Sequence, residues 1–259
     1  MNLGVVVTGA GHGIGRALAT RMSAEGARVV VNDLDAEAAA RVAAEIGGRP
    51  VPGDAASEEG VTALVEAARG HLGAVDAWFA NAGIDSGHGL DAPESDWAAC
   101  LQVNVLAHVR AARLLVPDWV ERGAGRFVVT ASAAGLLTLL GSPTYSVSKH
   151  AAVAFAEWLS ATYRHRGVVV QAICPQGVRT RMLANAGALE EVLSHDRALE
   201  PEDVAEAMWQ AMDDDRFLVL PHPEVADYYA LRATQTDRWL EGMSKLQRLV
   251  EAHEEGARG

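Results

Sequence analysis

The sequence predicts an α/β fold built on a parallel sheet of seven strands, and three observations carry that prediction. Short runs rich in valine recur along the 259 residues, helical stretches separate them, and the first run ends in a turn holding four glycines. Continuous β-branched runs mark strands buried on both faces, as parallel strands covered by helices are. The length suits one domain, 1–259, because such folds commonly reach about 200 to 250 residues undivided.

The elements follow in order. Val5-Val6-Val7 is the first strand, and Thr8-Gly9-Ala10-Gly11-His12-Gly13-Ile14-Gly15 links it to a helix opening at Arg16. Arg28 to Asn32 is the second strand, with an alanine-rich helix over 36–46. Val51 followed by Asp54-Ala55 closes a third, shorter strand, and 57–72 is its crossover helix. Val75 to Phe79 is the fourth strand and runs into Asn81-Ala82-Gly83. After a loop over 84–94, one long amphipathic helix is expected over 96–122, bent or ended by Pro117. Arg126 to Thr130 is the fifth strand, 145–166 a helix opened by Tyr145, and Val168 to Ile173 the sixth strand. The periodicity loosens over 181–200, a composition suited to a segment covering a site. Helix returns over 201–212, and Phe217 to Leu220 forms the seventh strand. The extension 224–259 reads as charged helix with one apolar stripe, Trp239, Leu240, Met243, Leu246 and Leu249, of the kind that packs within a chain or between subunits.

Composition narrows the function. A net charge of -12 argues against a nucleic-acid partner and against an anionic membrane surface. The amino terminus shows no basic leader, and no apolar run approaches the roughly 20 residues of a membrane helix. The expected setting is cytoplasmic. Cys100 and Cys174 look interior and imply no disulfide, and the nine scattered histidines suggest no metal site.

The chemistry gathers at Ser132 and Tyr145-Ser146-Val147-Ser148-Lys149. On a helix, Lys149 lies one turn beyond Tyr145 on the same face, so an ammonium stands beside a phenol. A nearby cation is expected to draw the phenol below its usual value of about 10, toward the working range of an acid or base. Ser132 shares that site only if the end of the fifth strand meets the start of the helix. The glycine turn, set between strand and helix, offers backbone N–H groups to a phosphate, or is merely a tight connection. Asp33, at the end of the second strand, either accepts hydrogen bonds from a ribose diol, which favours NAD over NADP, or caps the next helix with Asp35. Asp54 either meets an adenine amino group or starts a loop. Asn104 is either a satisfied buried amide or the holder of a catalytic water.

On these motifs the chain resembles the short-chain dehydrogenase/reductases over essentially its whole length, in the branch with a TGxxxGxG turn and Tyr-x-x-x-Lys. Its Tyr–Lys spacing is unlike that of the enoyl reductases. Unlike the halohydrin dehalogenases of this fold, it keeps the cofactor glycines and Lys149. The resemblance implies a Rossmann-like doubly wound parallel sheet of seven strands, the catalytic tetrad Asn104, Ser132, Tyr145 and Lys149, and a homotetramer or dimer. It also implies NAD held by Gly9, Gly11, His12, Gly13, Ile14, Gly15, Asp33, Leu34, Asp54, Ala55, Asn81, Ala82, Gly83, Tyr145, Lys149, Pro175, Gln176, Gly177, Val178 and Thr180, with Lys149 on the nicotinamide ribose. Two departures stand out: Ala80 replaces the first asparagine of the family's NNAG, and Gln176 replaces a glycine beside the nicotinamide.

The apolar stretch Ala133 to Leu140, with no cationic cluster near it, points to an apolar secondary alcohol and its ketone as substrate pair. The alternative is a non-catalytic dinucleotide-binding sensor or assembly protein that retains the fold. An intact Ser132, Tyr145 and Lys149 argues against it, since binding needs no proton relay.

Overall fold

A computed structural model describes residues 3–87, 89–184 and 198–258. Seven strands form one parallel sheet: β1 (Gly4–Val7), β2 (Arg28–Val31), β3 (Arg49–Pro50), β4 (Ala77–Ala80), β5 (Gly125–Thr130), β6 (Val168–Ile173) and β7 (Leu218–Val219). Their spatial order is β3-β2-β1-β4-β5-β6-β7. The chain leaves β1 toward one edge and returns to β4 on the other side. The order therefore reverses between β1 and β4, and connections leaving such a pair diverge to open a crevice beyond the carboxyl ends.

Helices cover both faces because alternate strand residues point to opposite sides. Val6, Trp78, Phe127 and Val170 pack with α3 (Glu58–Leu72), α5 (Ala107–Arg122) and α6 (Pro143–Tyr163). Val5, Phe79, Val128 and Ile173 pack with α1 (Gly13–Ala24), α2 (Ala36–Ile46) and α8 (Pro201–Ala211). The α2 helix starts where Asp35 accepts the N–H groups of Glu37 and Ala38, and it stops at Gly47, whose φ of 68° is left-handed. Ser57 caps α3 through the N–H of Gly60.

Several expected boundaries move. The third strand is Arg49–Pro50, ahead of Val51; it is an edge strand, where a proline without N–H costs no ladder bond, and the Val51 N–H still reaches the Val31 carbonyl. The long helix begins earlier, as α4 (Glu94–Leu101), and passes through a π-turn at Gln102–Leu106 before α5. Pro117 does not end it, because Leu115, Val116 and Trp119 anchor that turn in the core. By length and composition Glu94–Arg122 is apolar enough to cross a membrane, but its apolar face from Ala111 to Trp119 packs on the sheet. The α6 helix opens at Pro143, whose missing N–H suits a first helical position, so Tyr145 lies inside the first turn. In the segment 181–200, Arg181–Ala184 forms a short helix, α7, while 185–197 lies outside the described residues. The extension is two helices, α9 (Val225–Thr234) and α10 (Thr236–Arg258), broken at Gln235.

Candidate active site

The crevice above β1 and β4 is one cavity of about 1660 Å³, lined by every residue expected at the site except Asn104, which stands behind its wall. Ligand pockets are commonly about 300–1,000 Å³, so this one has room for more than a single small molecule.

Its floor is the turn between β1 and α1. Gly9 turns with φ of 60°, and a Cβ on Gly15 would stand 2.2 Å from the Gly9 carbonyl oxygen, so a side chain fits at neither place. His12, the N-cap of α1, makes no side-chain cap, which leaves the first-turn N–H groups facing the cavity. Asn81 locks the turn from β4: its amide donates to the carbonyls of Thr8 (2.9 Å) and Gly9 (3.2 Å), while the N–H groups of Asn81 and Ala82 donate to the Thr8 hydroxyl, both at 3.0 Å. The Asn81 side chain is thus engaged in shaping the floor.

At the end of β2 the two aspartates divide their tasks. Asp35 caps α2. Asp33 accepts from the N–H groups of Gly11 (2.8 Å) and Asp35 (3.0 Å) and turns its carboxylate to the cavity beside the exposed Leu34. Asp54 accepts from the N–H groups of Ala56 (2.8 Å) and Ser57 (3.1 Å). Burial alone would raise its carboxyl, but these bonds hold it below the usual range. It starts α3 and lines the cavity as well.

The reacting end forms where β5 meets α6. Ser132 follows β5 and stands close enough to the Tyr145 hydroxyl to pull the phenol down; its hydroxyl donates to the Pro175 carbonyl at 3.5 Å and accepts the Ala134 N–H at 3.1 Å. Lys149 is buried, donates to the Thr130 carbonyl at 2.8 Å and lies 5.4 Å from the centre of the Tyr145 ring. A Cβ on Gly83 would stand 3.2 Å from both the Lys149 Nζ and the Asn104 Oδ1, so glycine lets these groups close on the end of β4. Asn104 sits in the π-turn, a device that recurs at functional sites. It accepts from the Ile84 N–H and donates to the Ile84 carbonyl and the Ser148 hydroxyl, each at 2.9 Å, which makes it a satisfied buried amide.

One expectation is overturned. The Tyr145 phenol stands above its usual value and not below it: burial pushes it up to about 12, against a pull from Ser132. Lys149 is itself pushed down to about 8 by burial. Desolvation of a sealed pair outweighs the cation beside the phenol.

The far wall is the loop after β6. The Gln176 N–H donates to His222 Nδ1 at 3.1 Å, while its side-chain Oε1 is buried on the cavity wall with no partner among the described residues. Such an orphan acceptor fits a bound group that brings an N–H donor, as a nicotinamide carboxamide does. Together with the bare first turn of α1 and the Asp33 carboxylate, the donor and acceptor set suits a dinucleotide. Thr180 crosses over Gly13, and the ends of the segment expected to cover the site are tied by a bridge between Val178 and Leu199.

Other residues reach the cavity without a sequence signal of their own. Asp85 accepts from the Gly87 N–H at 3.0 Å and from the Ser142 hydroxyl just ahead of α6. Trp239, Met243, Leu246 and Val250 of α10 form the outer wall, with Tyr228 from α9. Of the stripe expected to be a packing face, Trp239, Met243, Leu246 and Leu249 line the cavity and Leu240 does not; Val250 and Tyr228 join them.

Fold and site together define a dinucleotide-type α/β oxidoreductase, and the comparisons agree: a family model described as short chain dehydrogenase matches residues 4–191. The chain belongs to the short-chain dehydrogenase family. It is 36% identical over 228 residues to a 1-deoxy-11-beta-hydroxypentalenate dehydrogenase of Streptomyces exfoliatus, covering 85% of this chain and 82% of that protein. It is 31% identical over 231 residues to a cyclohexanol dehydrogenase of Acinetobacter sp. (strain SE19), covering 86% and 92%. A crystal structure of a short chain dehydrogenase/reductase from Burkholderia phymatum in complex with NAD superposes with a TM-score of 0.83 at 30% identity, over 91% of this chain and 94% of that one.

Proposed function

We propose that the protein is an NAD-dependent dehydrogenase of uncharged secondary alcohols, working reversibly with the corresponding ketones. One observation carries this reading: Tyr145, with Ser132 and Lys149 beside it, lines the same cavity as the glycine turn and Asp33. Bound NAD supplies the acceptor for a hydride from the alcohol carbon.

Tyr145 gives the proton to the substrate oxygen in reduction and takes it in oxidation. Ser132 donates a hydrogen bond to that oxygen as charge builds, a preorganised donor of the kind that contributes roughly 3 kcal/mol. Lys149 holds the floor of the reacting end through Thr130 and presents positive charge beneath the phenol. Asn104, its amide spent on Ile84 and Ser148, holds the π-turn in place beside Lys149. Asp33 accepts hydrogen bonds from a ribose diol and repels a 2′-phosphate, with Leu34 offering no cation to offset it. The apolar run from Ala133 to Leu140 supports an apolar substrate, and the relatives named for dehydrogenation of hydroxypentalenate and cyclohexanol support a cyclic alcohol. We read the protein as a cytoplasmic homo-oligomer of one domain.

The test is a spectrophotometric panel of cyclic alcohols with NAD and with NADP. The expected outcome is NADH formation, at least tenfold higher kcat/KM with NAD, and loss of turnover in Tyr145→Phe with NADH binding retained. Preference for NADP would refute the role of Asp33, and turnover in the Tyr145 variant would refute that of the phenol. Cofactor binding with no turnover of any alcohol or polyol would favour the binding-only reading.

A further inference from the structure

The C-terminal helix presents an apolar seam to the interior of the cavity. Trp239, Met243, Leu246 and Val250 follow one another at helical spacings of four, three and four residues and all line the space that Tyr145 opens into. On the other side of α10, Glu241, Lys245, Arg248 and Glu251 are exposed. Apart from Val250, the seam is only half-buried, so it leaves apolar surface inside a cavity that the apolar run after Ser132 also lines. Arg232 fixes its position. The guanidinium, carried by α9, donates to the Leu136 carbonyl and to His150 Nε2 (2.9 Å), and it lies 5.6 Å from the Trp239 ring centre. Leu136 follows Ser132 by four residues and His150 adjoins Lys149, so the seam is held in register with both segments that carry the reacting groups. At the reacting end, the Asp85 carboxylate opposes an anionic substrate.

We propose that the α10 seam is the specificity wall of the substrate chamber, latched by Arg232, and that it selects uncharged alicyclic alcohols bulkier than a single six-membered ring. This rests on the dehydrogenase reading above. A ring held by its oxygen at Tyr145 gains by covering apolar surface in proportion to its own apolar area. A cage or fused-ring skeleton has more apolar area than a single ring to set against the seam and the run after Ser132.

The experiment compares 2-adamantanol, a cage secondary alcohol, with cyclohexanol, in the full-length protein and in Met243→Asp. The wild type is expected to oxidise 2-adamantanol with kcat/KM at least tenfold above cyclohexanol. The variant is expected to reverse most of that ratio through KM, while its NAD affinity stays within threefold as a check on folding. If Met243→Asp does not fold, Leu246→Gln replaces it. A second measurement needs no turnover: calorimetric titration of 2-adamantanone into protein saturated with NAD, a pair that cannot react, with at least tenfold weaker binding expected in the variant. Equal losses on both alcohols, no binding of the ketone to the wild type, or unaltered binding in the variant would overturn the wall. Ketone binding lost in the variant, in a protein that oxidises neither alcohol, would sink the dehydrogenase reading and leave the wall standing.

Discussion

The Tyr145 phenol keeps its proton at neutral pH, since burial holds it near 12, and this sets the direction in which pH acts. On the proposed reading, reduction of a ketone would begin with the acid already loaded. Oxidation needs the proton gone, and a group titrating well above the working pH gains about tenfold in its deprotonated fraction per pH unit. Between pH 6 and 7.5, below the range where Lys149 at about 8 loses its charge, log kcat/KM for alcohol oxidation is expected to rise with a slope near one. A flat profile would remove Tyr145 as the titrating base. His108 governs stability instead. It is buried behind the site with Nε2 unpartnered, and burial, helped by the Lys149 charge, lowers its imidazole to about 3. Between pH 6.5 and 3 the unfolded chain holds a proton there that the folded chain does not. Stability from this group is therefore complete above pH 6.5 and is lost as pH falls, by roughly 5 kcal/mol at most. His108→Leu is expected to flatten the fall in urea-unfolding free energy between pH 6.5 and 4, relative to wild type. An unchanged slope would show that the imidazole does not titrate on unfolding.

At the scale of elements, the site depends on where irregularities fall. The π-turn at Gln102–Leu106 interrupts a helix that composition alone would run straight, and it brings Asn104 onto the backbone of Ile84. Gly9 and Gly15 let β1 hand over to α1 without filling the floor of the cavity. The α9–α10 pair is different: Val225 seats α9 in the core, and the guanidinium of Arg232 ties the pair to the reacting end. Arg232→Met keeps the length of the side chain and removes its donors. Hydrogen bonds from a charged group are commonly worth about 1.5–3 kcal/mol. The substitution is expected to speed proteolytic cleavage within α9–α10 and to raise KM for bulky alcohols more than it changes kcat. Cleavage at the wild-type rate would show that the helix pair is held by something else.

For the whole molecule, the homo-oligomer reading rests on apolar surface left on α6. Val147 and Trp158 lie eleven residues apart on one face and are 49% and 56% exposed, with the Phe155 ring stacked on Trp158 at 6.3 Å. Contiguous exposed apolar surface marks protein–protein contact sites, whereas lone exposed side chains do not. Trp158→Glu is expected to reduce the mass measured by sedimentation from that of a dimer or tetramer toward 27.3 kDa. A wild type that sediments as a monomer would overturn the reading.

The β-branched runs and the four glycines made the sheet legible, because a strand buried on both faces leaves little freedom in residue type. The spacing of Tyr145 and Lys149 made the reacting end legible, because helical geometry fixes what lies one turn away. Asp33 and Asp35 could not be told apart, since either suits a helix start, and only the fold shows Asp35 taking the cap while Asp33 faces the cavity. The stripe on α10 announced an apolar face but not its neighbour, and the same residues serve equally well for a core, a subunit contact or a chamber wall. Burial was hidden too: a lysine beside a tyrosine suggests an acidic phenol, and sealing both from water reverses the outcome. What the sequence determined by itself was local, the period of each element and the chemistry one helical turn carries. What only the tertiary structure decided was which surfaces meet and how much water reaches them, since desolvation and long-range contact depend on parts of the chain far apart in sequence.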